Sequence, residues 1–284
     1  MARLFVERLT VIDFSFLEPR RGIVGESWIM DVELEGELDH QGMVFDFSKV
    51  KKTIKSWVDN ELDHKLVVPG ACGGYYRNTE HGMGSLTFRL DDGNQILHVG
   101  PANSVAVINR LAVIAPPAVA EYIESKLKKI LPENISMVKV TLTAEKISGQ
   151  YFHYTHGLQK HQGNCQRIAH GHRSKIQIEI DGVRSDKWEK YWADLFRDIY
   201  IGTRSHVAKA STDNYTRFEY LAEQGLFSLE LPTRNCYFVD TETTVEQLAS
   251  HIADEMAELT SGKITVRAFE GVGKGAIATA VGKQ

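Results

Sequence analysis

The chain of 284 residues is long enough for one large domain or two of ordinary size, and 43% hydrophobic residues suffice for a packed core. Its 33 lysines and arginines against 37 aspartates and glutamates, a formal net charge of -4, exclude nucleic-acid binding by bulk electrostatics. The longest apolar stretch, residues 105–120, contains polar residues and prolines and is shorter than the roughly 20 apolar residues of a membrane span. Because the N-terminus is charged where a signal peptide is apolar, we expect a cytoplasmic protein that binds neither membrane nor nucleic acid.

The first half of the chain predicts a strand, two helices and a second strand. Alternating apolar residues over 26–35 predict a strand that ends in a turn at Gly36. An apolar face predicts a helix over 46–62, and a proline near the start of 117–131 predicts another. A strand over 137–143 follows.

The second half predicts the same elements in the same order. Alternating isoleucines between two glycines predict a strand over 171–182, and apolar spacing predicts a helix over 186–200. A capped helix over 243–256 and a strand over 264–269 complete the half. The chain therefore reads as two copies of a unit of about 140 residues. The predicted domains are residues 1–147 and 148–284.

Two long segments rich in glycine and polar residues, 70–104 and 203–236, interrupt the two copies. Both contain short strand-like runs, and the sequence does not place them further.

Histidines are concentrated in the second half. Five of the 11 lie within residues 153–172: His153, His156, His161, His170 and His172. Because alternate side chains of a strand share a face, His170 and His172 lie on one side. His156 is the first choice for a third ligand and His153 the second. Three neutral imidazoles with an open fourth position are typical of catalytic zinc, whereas the alternative interpretation is a solvated loop with incidental histidines.

Two further groups carry candidate chemistry. Cys165 has polar neighbours, and beside a metal its thiol could act as a base or nucleophile, whereas Cys72 and Cys236 are interpreted as structural. Asp63 and His64 at a helix end are compatible either with a carboxylate-oriented imidazole or with a simple C-terminal cap.

These motifs resemble one enzyme family. The strings Gly42-Met-Val-Phe-Asp-Phe and Leu62-Asp-His-Lys65 resemble a signature of the 6-pyruvoyl-tetrahydropterin synthase and 6-carboxytetrahydropterin synthase family. The segment from Phe152 through His172 resembles its zinc-and-cysteine segment, and Val266-x-Ala-x-Glu270 its terminal strand. The resemblance implies an α+β tunnelling fold (T-fold) in each copy, with antiparallel sheets, paired helices on one face and oligomerisation into a barrel.

The resemblance also implies a division of labour between the copies. The second copy would provide Glu270 to anchor the pterin, Cys165 for proton transfer, and the zinc ligands His156, His170 and His172. The first copy would provide Asp63 and His64, which favours their catalytic interpretation over the cap.

The first copy departs from the family at the zinc ligands. Aligning Gly25 with Gly171 puts Val24 and Glu26 opposite two of the histidines, and aligning Phe14 with Phe152 puts Glu18 opposite the third. We therefore predict one zinc site per chain rather than two.

The implied reaction is the zinc-dependent conversion of 7,8-dihydroneopterin triphosphate to a 6-substituted tetrahydropterin, with the 6-carboxy product of queuosine biosynthesis favoured over the 6-pyruvoyl product. Candidates to contact the triphosphate are Arg167, Arg173 and Lys274. Two alternatives stay open: a T-fold protein that binds a pterin or purine without turnover, and a zinc enzyme that cleaves a related pterin side chain. A homo-oligomer is expected because open sheet edges require partners.

Overall fold

The computed structural model describes residues 1–72, 74–78 and 82–283, and these form strands, four α-helices and short 3-10 turns. The elements of the first half are, in chain order, β1 (Ala2–Glu18), β2 (Gly22–Gly36), α1 (Phe47–Glu61), β3 (Leu66–Pro69), β4 (Gly74–Asn78), β5 (Met83–Arg89), β6 (Gln95–Pro101), β7 (Val105–Ile108), α2 (Pro116–Leu127) and β8 (Ile135–Ala144).

The elements of the second half are β9 (Tyr151–His156), β10 (His170–Ile180), β11 (Val183–Arg184), α3 (Asp186–Leu195), β12 (Ile199–Thr203), β13 (Tyr215–Ala222), β14 (Gly225–Pro232), β15 (Cys236–Val239), α4 (Val245–Leu259), β16 (Gly262–Phe269) and β17 (Gly275–Gly282). The predicted α+β class is confirmed. None of the four helices in the described residues has the length and apolar character needed to cross a bilayer.

Two sheets repeat one strand order. The first sheet runs β7-β3-β1-β2-β8, and the second runs β15-β12-β9-β10-β16 with β17 added at its end. In both, the central pairs are antiparallel and two strands at one end are parallel. The duplication read from glycine spacing is therefore also present in the topology.

Each sheet carries a pair of helices packed against its apolar residues. Asp46 caps α1 by accepting hydrogen bonds from two backbone N–H groups of the first turn. One face of α1, with Val50, Ile54 and Val58, is fully buried in a core shared with α2. Helices α3 and α4 bury a corresponding face around Trp192 in a second core. These helices leave the central strands to carry the site.

The predicted helix over 186–200 is wrong at its C-terminal end. Helix α3 ends at Leu195, and Asp198 adopts a left-handed backbone with φ 53° before β12 begins at Ile199. Apolar spacing continued past this turn because the first residues of β12 are themselves buried.

The two insertions form a third sheet together. Its order is β13-β14-β6-β5-β4, and β14 of the second repeat pairs antiparallel with β6 of the first, with Ser228 opposite Val99. This sheet covers a third core that contains Phe88, Phe218 and Phe227. Each repeat thus contributes strands to one layer that joins the two halves.

The two central strand pairs meet where two glycines face each other. A Cβ placed on Gly25 would lie 1.8 Å from the Tyr154 carbonyl oxygen, and one on Gly171 would lie 2.7 Å from the Gly25 Cα. Ser15 Oγ and Thr155 Oγ1 share a buried 2.8 Å hydrogen bond at the same crossing. Glycine is required here because the two backbones approach too closely for any side chain.

Candidate metal and catalytic site

Three buried histidines meet on β9 and β10. The register places His156 directly opposite His170, and His172 follows two residues later on the same face. Each side chain offers one ligand atom, and the three atoms lie within 4.8 Å of one another. The first choice of third ligand, His156, is therefore the histidine that the fold brings to the other two.

Hydrogen bonding at this group fits a metal. His156 Nδ1 is 2.9 Å from the Thr243 carbonyl oxygen, and His170 Nδ1 is 2.9 Å from the Arg167 carbonyl oxygen. Both Nε2 atoms are buried, and no described residue forms a hydrogen bond with either of them. A proton held on Nδ1 leaves Nε2 with the lone pair that a metal needs.

The surroundings of His156 and His170 favour the neutral form of both imidazoles. Burial, followed by the nearby imidazoles, lowers the pKa of His156 and of His170 well below the usual value. Metal ligands must be unprotonated, and neutral imidazoles with orphaned buried nitrogens match a three-histidine zinc site.

His153, the second choice of ligand, lies outside this group. Its Nδ1 is 2.7 Å from the Gly25 carbonyl oxygen, and burial lowers its pKa to about 4. His161 is exposed on the following loop, where it accepts a hydrogen bond from Gly163 N.

Cys165 meets the Asp63–His64 pair within this one chain. Cys165 lies in a 3-10 turn, Asn164–Gln166, between β9 and β10. Ligand atoms of Cys165, His64 and His170 lie within 4.8 Å of one another. A residue of the first half thus completes a group whose other members come from the second.

The Asp63–His64 pair is held by the neighbouring strand β1. Asp63 Oδ2 lies 2.5 Å from His64 Nδ1, and Asp63 Oδ1 accepts a 2.9 Å hydrogen bond from Asp13 N. His64 N donates to the Asp13 carbonyl oxygen at 2.7 Å, which fixes the left-handed turn at φ 54°. The imidazole therefore contacts a carboxylate rather than capping the helix.

The same contacts set the charge of His64. Burial opposes protonation, but the Asp63 carboxylate and the Cys165 sulfur outweigh it and raise the pKa of His64 to about 10. An imidazole in this position can hold a proton and deliver it to a neighbouring group.

Both halves of the chain match one known protein family. The family model of 6-pyruvoyl tetrahydropterin synthase matches the chain twice, over residues 13–149 and 146–280. The chain belongs to this family. It carries two tandem repeats of the family's T-fold.

Two curated relatives and two solved structures are similar to parts of this chain. A putative 6-carboxy-5,6,7,8-tetrahydropterin synthase of Pyrococcus horikoshii is 30% identical over 120 residues, which cover 42% of this chain and 67% of that protein. The Pyrococcus abyssi protein of the same description is 31% identical over the same shares. The 6-pyruvoyl tetrahydropterin synthase of Plasmodium vivax is 18% identical, with a TM-score of 0.41, over 52% of this chain and 93% of its own. The Plasmodium falciparum enzyme is 16% identical, with a TM-score of 0.40, over 50% and 90%.

Glu270 follows the last residue of β16 in the second synthase repeat. Its Oε1 lies 3.9 Å from His172 Nε2, so the predicted pterin anchor borders the histidine group. The turn that carries it continues through Gly271, with φ 68°, where a Cβ would lie 2.5 Å from Asp13 Oδ1. Glycine at this position lets the turn pack directly on the buried carboxylate.

Asp13 is a site residue that the sequence analysis missed. Its side chain is buried, with Oδ1 3.2 Å from His172 Nδ1 and Oδ2 3.3 Å from Lys274 Nζ. Ser27 Oγ also donates to Oδ1, at 2.5 Å. Burial would raise the pKa of Asp13, but His172, Lys274 and Ser27 lower it well below the usual range. An acidic residue between Ile12 and Phe14 in an apolar strand was the available signal.

The three candidates for triphosphate contact lie in different places. Arg167 is buried beside the site and donates to the carbonyl oxygens of Asp63 and His64 at 3.3 and 3.4 Å. Lys274 faces Asp13. Arg173 instead stacks on Tyr151, 4.0 Å from its ring centroid.

Strand register identifies the residues of the first repeat that stand in place of the predicted zinc ligands. Ser15 pairs with Gly25 as Thr155 pairs with Gly171, so the strands align through these positions. Phe16, which pairs with Val24, therefore occupies the position of His156. The alignment that put Glu18 there is wrong, because the phenylalanine match shifts the strand by two residues.

Charged residues stand at two further equivalent positions, Glu26 in the first repeat and Asp198 in the second. Glu26 stands at the position of His172, where burial raises its pKa to about 7, and it lies 3.9 Å from His153 Nδ1. Asp198 has the left-handed backbone of His64 and forms two hydrogen bonds with Arg21, at 2.8 and 2.6 Å. Because Phe16 and Val24 are apolar and Glu26 is acidic, the first repeat has no histidine at the positions equivalent to His156, His170 and His172.

Proposed function

We propose that this chain is a cytoplasmic, zinc-dependent pterin synthase that converts 7,8-dihydroneopterin triphosphate to a 6-substituted tetrahydropterin with loss of triphosphate. The observation that carries the proposal is the meeting of His156, His170 and His172 with Cys165 and the Asp63–His64 pair in one chain. The names of the two Pyrococcus relatives support the 6-carboxy product.

The residues divide the work. His156 and His170, through Nε2, and His172 would hold a zinc ion, which would supply a Lewis acid for the oxygens of the substrate side chain. Cys165 then moves a proton at the side-chain carbons, and His64, oriented by Asp63, serves as its acid/base partner. Glu270 accepts hydrogen bonds from the pterin and fixes its register. Arg167 and Lys274 provide positive charge for the triphosphate.

The proposal includes a domain boundary and a homo-oligomeric assembly. We place the domains at residues 1–147 and 148–284, and the two family matches overlap near this boundary. The sheets end in β8 and β17, strands of 10 and 8 residues whose outer edges can pair with another chain. A homo-oligomer closed through these edges is expected, and light scattering on purified protein measures it.

The zinc content of the purified protein tests the proposed metal site. Wild-type protein, His170→Ala and Glu26→Ala are compared, because Glu26 occupies the position of the first repeat that is equivalent to His172. We expect one zinc per chain in the wild type and in Glu26→Ala, and none in His170→Ala. Zinc that survives His170→Ala, or a wild type without zinc, would overturn the proposed site.

Product analysis with 7,8-dihydroneopterin triphosphate then tests the reaction. A 6-carboxy product supports the proposal, and a 6-pyruvoyl product moves the chain to the other branch of the family. Tight binding without turnover identifies a binding protein. A cleaved side chain on an otherwise unchanged ring identifies a different zinc enzyme.

A further inference from the structure

The hairpin contributed by the second insertion ends beside the cysteine. Strands β13 and β14 are joined by a two-residue turn, Glu223–Gln224, with Ala222 opposite Gly225. This turn contacts the 3-10 turn Asn164–Gln166 that carries Cys165.

Gln224 makes three hydrogen bonds to the residues around Cys165. Its backbone N donates to Gln166 Oε1 at 2.6 Å, and its Nε2 donates to Asn164 Oδ1 at 2.9 Å. Its Oε1 accepts from Arg167 Nε at 3.3 Å. Gln224 therefore forms hydrogen bonds to the residues on both sides of Cys165 in the chain.

A second residue of the same hairpin also holds the turn that carries Cys165. Tyr220 is buried, and its hydroxyl donates to the Gln166 carbonyl oxygen at 2.8 Å. Gly157 leaves room for that hydroxyl, because a Cβ there would lie 2.1 Å from it. Leu158 N donates to the Cys165 carbonyl oxygen at 2.9 Å, which ties the turn to the end of β9 as well.

The β13–β14 hairpin is part of the third sheet, which the two insertions form together. β14 pairs along one edge with β13 and along the other with β6, which belongs to the insertion of the first repeat. Phe227 and Leu229 of β14 are fully buried beneath it. Gln224 is thus presented from a layer built by both repeats.

We propose that Gln224 is a positioning residue that holds Cys165 against His64 and His170. The proposal gives a role to the second insertion, and it rests on the proposed function in that Cys165 is the group whose placement matters. A displacement of about 1 Å at a reacting group lowers the rate by up to about 100-fold. Loss of the Gln224 hydrogen bonds should therefore change kcat measurably.

The test compares Gln224→Ala with Glu223→Ala, a change of the exposed neighbour in the same turn. Gln224→Ala is expected to lower kcat about 10- to 100-fold while KM changes less than about twofold and zinc content stays constant. Gln224→Glu keeps the acceptor for Arg167 and is expected to recover part of kcat. An unchanged kcat, or a raised KM with unchanged kcat, would overturn the proposal.

A readout that needs no turnover separates this proposal from the proposed function. Iodoacetamide labelling of Cys165, followed by mass spectrometry of its peptide, measures access to the thiol in folded protein. We expect severalfold faster labelling in Gln224→Ala and wild-type labelling in Glu223→Ala. A wild type that turns over no pterin would reject the proposed function. Equal labelling rates of Cys165 in wild type and Gln224→Ala would reject the positioning role, whether or not the wild type is active.

Discussion

Asp13 Oδ1 of the first repeat lies 3.2 Å from His172 Nδ1 of the second. The other two histidines of the group turn Nδ1 toward backbone carbonyl oxygens. Asp13 Oδ1 therefore lies at ion-pair distance from an Nδ1 atom that makes no hydrogen bond to the described residues, whereas His156 and His170 have a backbone acceptor at Nδ1. A carboxylate that accepts the N–H of a ligating histidine orients the ring and raises its basicity, so Asp13 is the residue of the first repeat placed to support His172 in the proposed zinc site.

Removing this carboxylate should weaken zinc binding. Asp13→Ala is expected to lower zinc affinity about 10- to 100-fold, and Asp13→Asn, which keeps the shape without the charge, by less. Competition with a chromophoric chelator measures both. Glu26→Ala is the matched control, since that buried carboxylate also faces a histidine, His153, but lies at the position of the first repeat that is equivalent to His172. Equal affinities for wild type and Asp13→Ala would exclude the role.

His64 should matter for turnover and not for metal. His64→Ala is expected to reduce kcat about 100- to 10,000-fold, because the acid/base partner of Cys165 is lost, while zinc per chain is unchanged. Asp198→Ala, at the matching left-handed turn of the second repeat, serves as the control and should stay within about twofold of wild type. Loss of zinc from His64→Ala would instead make His64 a ligand, in the group that it forms with Cys165 and His170.

The sequence predicted those features that local patterns determine. The cap and apolar face of α1 gave that helix to within one residue at each end, and the strand alternation placed His170 and His172 on one face. The family motifs selected residues that the fold does bring together. All of these depend on spacing within one element or on motif order.

Features that depend on pairing between distant segments were not predicted. The pairing of β6 with β14 joins residues more than a hundred positions apart, and no local pattern encodes it. The role of Asp13 was missed for the same reason, since its partners His172 and Lys274 belong to the other repeat. The error at Glu18 came from matching one phenylalanine where strand pairing shows a shift of two residues.

Close contact of the repeats should make Gly25 intolerant of substitution. A Cβ there would meet backbone atoms of Tyr154 and His172 at 1.8 and 2.6 Å, so Gly25→Ala is expected to destabilise folding by about 3 kcal/mol. Gly93→Ala, at a positive φ with open space around it, should cost about 1 kcal/mol. Urea unfolding compares the two. A smaller loss at Gly25 than at Gly93 would contradict the close packing of the two sheets.

His98 should make folding stability fall in mild acid. It lies in β6 of the third sheet, is 1% exposed, and has no hydrogen-bond partner at either ring nitrogen among the residues that the structure describes. Burial lowers its pKa from 6.5 to about 4. Between these values the unfolded chain binds a proton that the folded protein does not. The free energy of unfolding should therefore be unaffected by His98 above pH 6.5 and decrease as pH falls, by about 3 kcal/mol at pH 4.

His98→Leu isolates this contribution, because leucine fills a similar volume and cannot titrate. The variant is expected to lose less stability than wild type between pH 7 and pH 4, measured by urea unfolding at each pH. Other buried histidines with lowered pKa, such as His153, destabilise both proteins in acid and cancel in the difference. Parallel pH profiles for wild type and His98→Leu would mean that His98 finds a charged or solvated partner on protonation. A steeper profile for the variant would reverse the sign of the prediction and reject it.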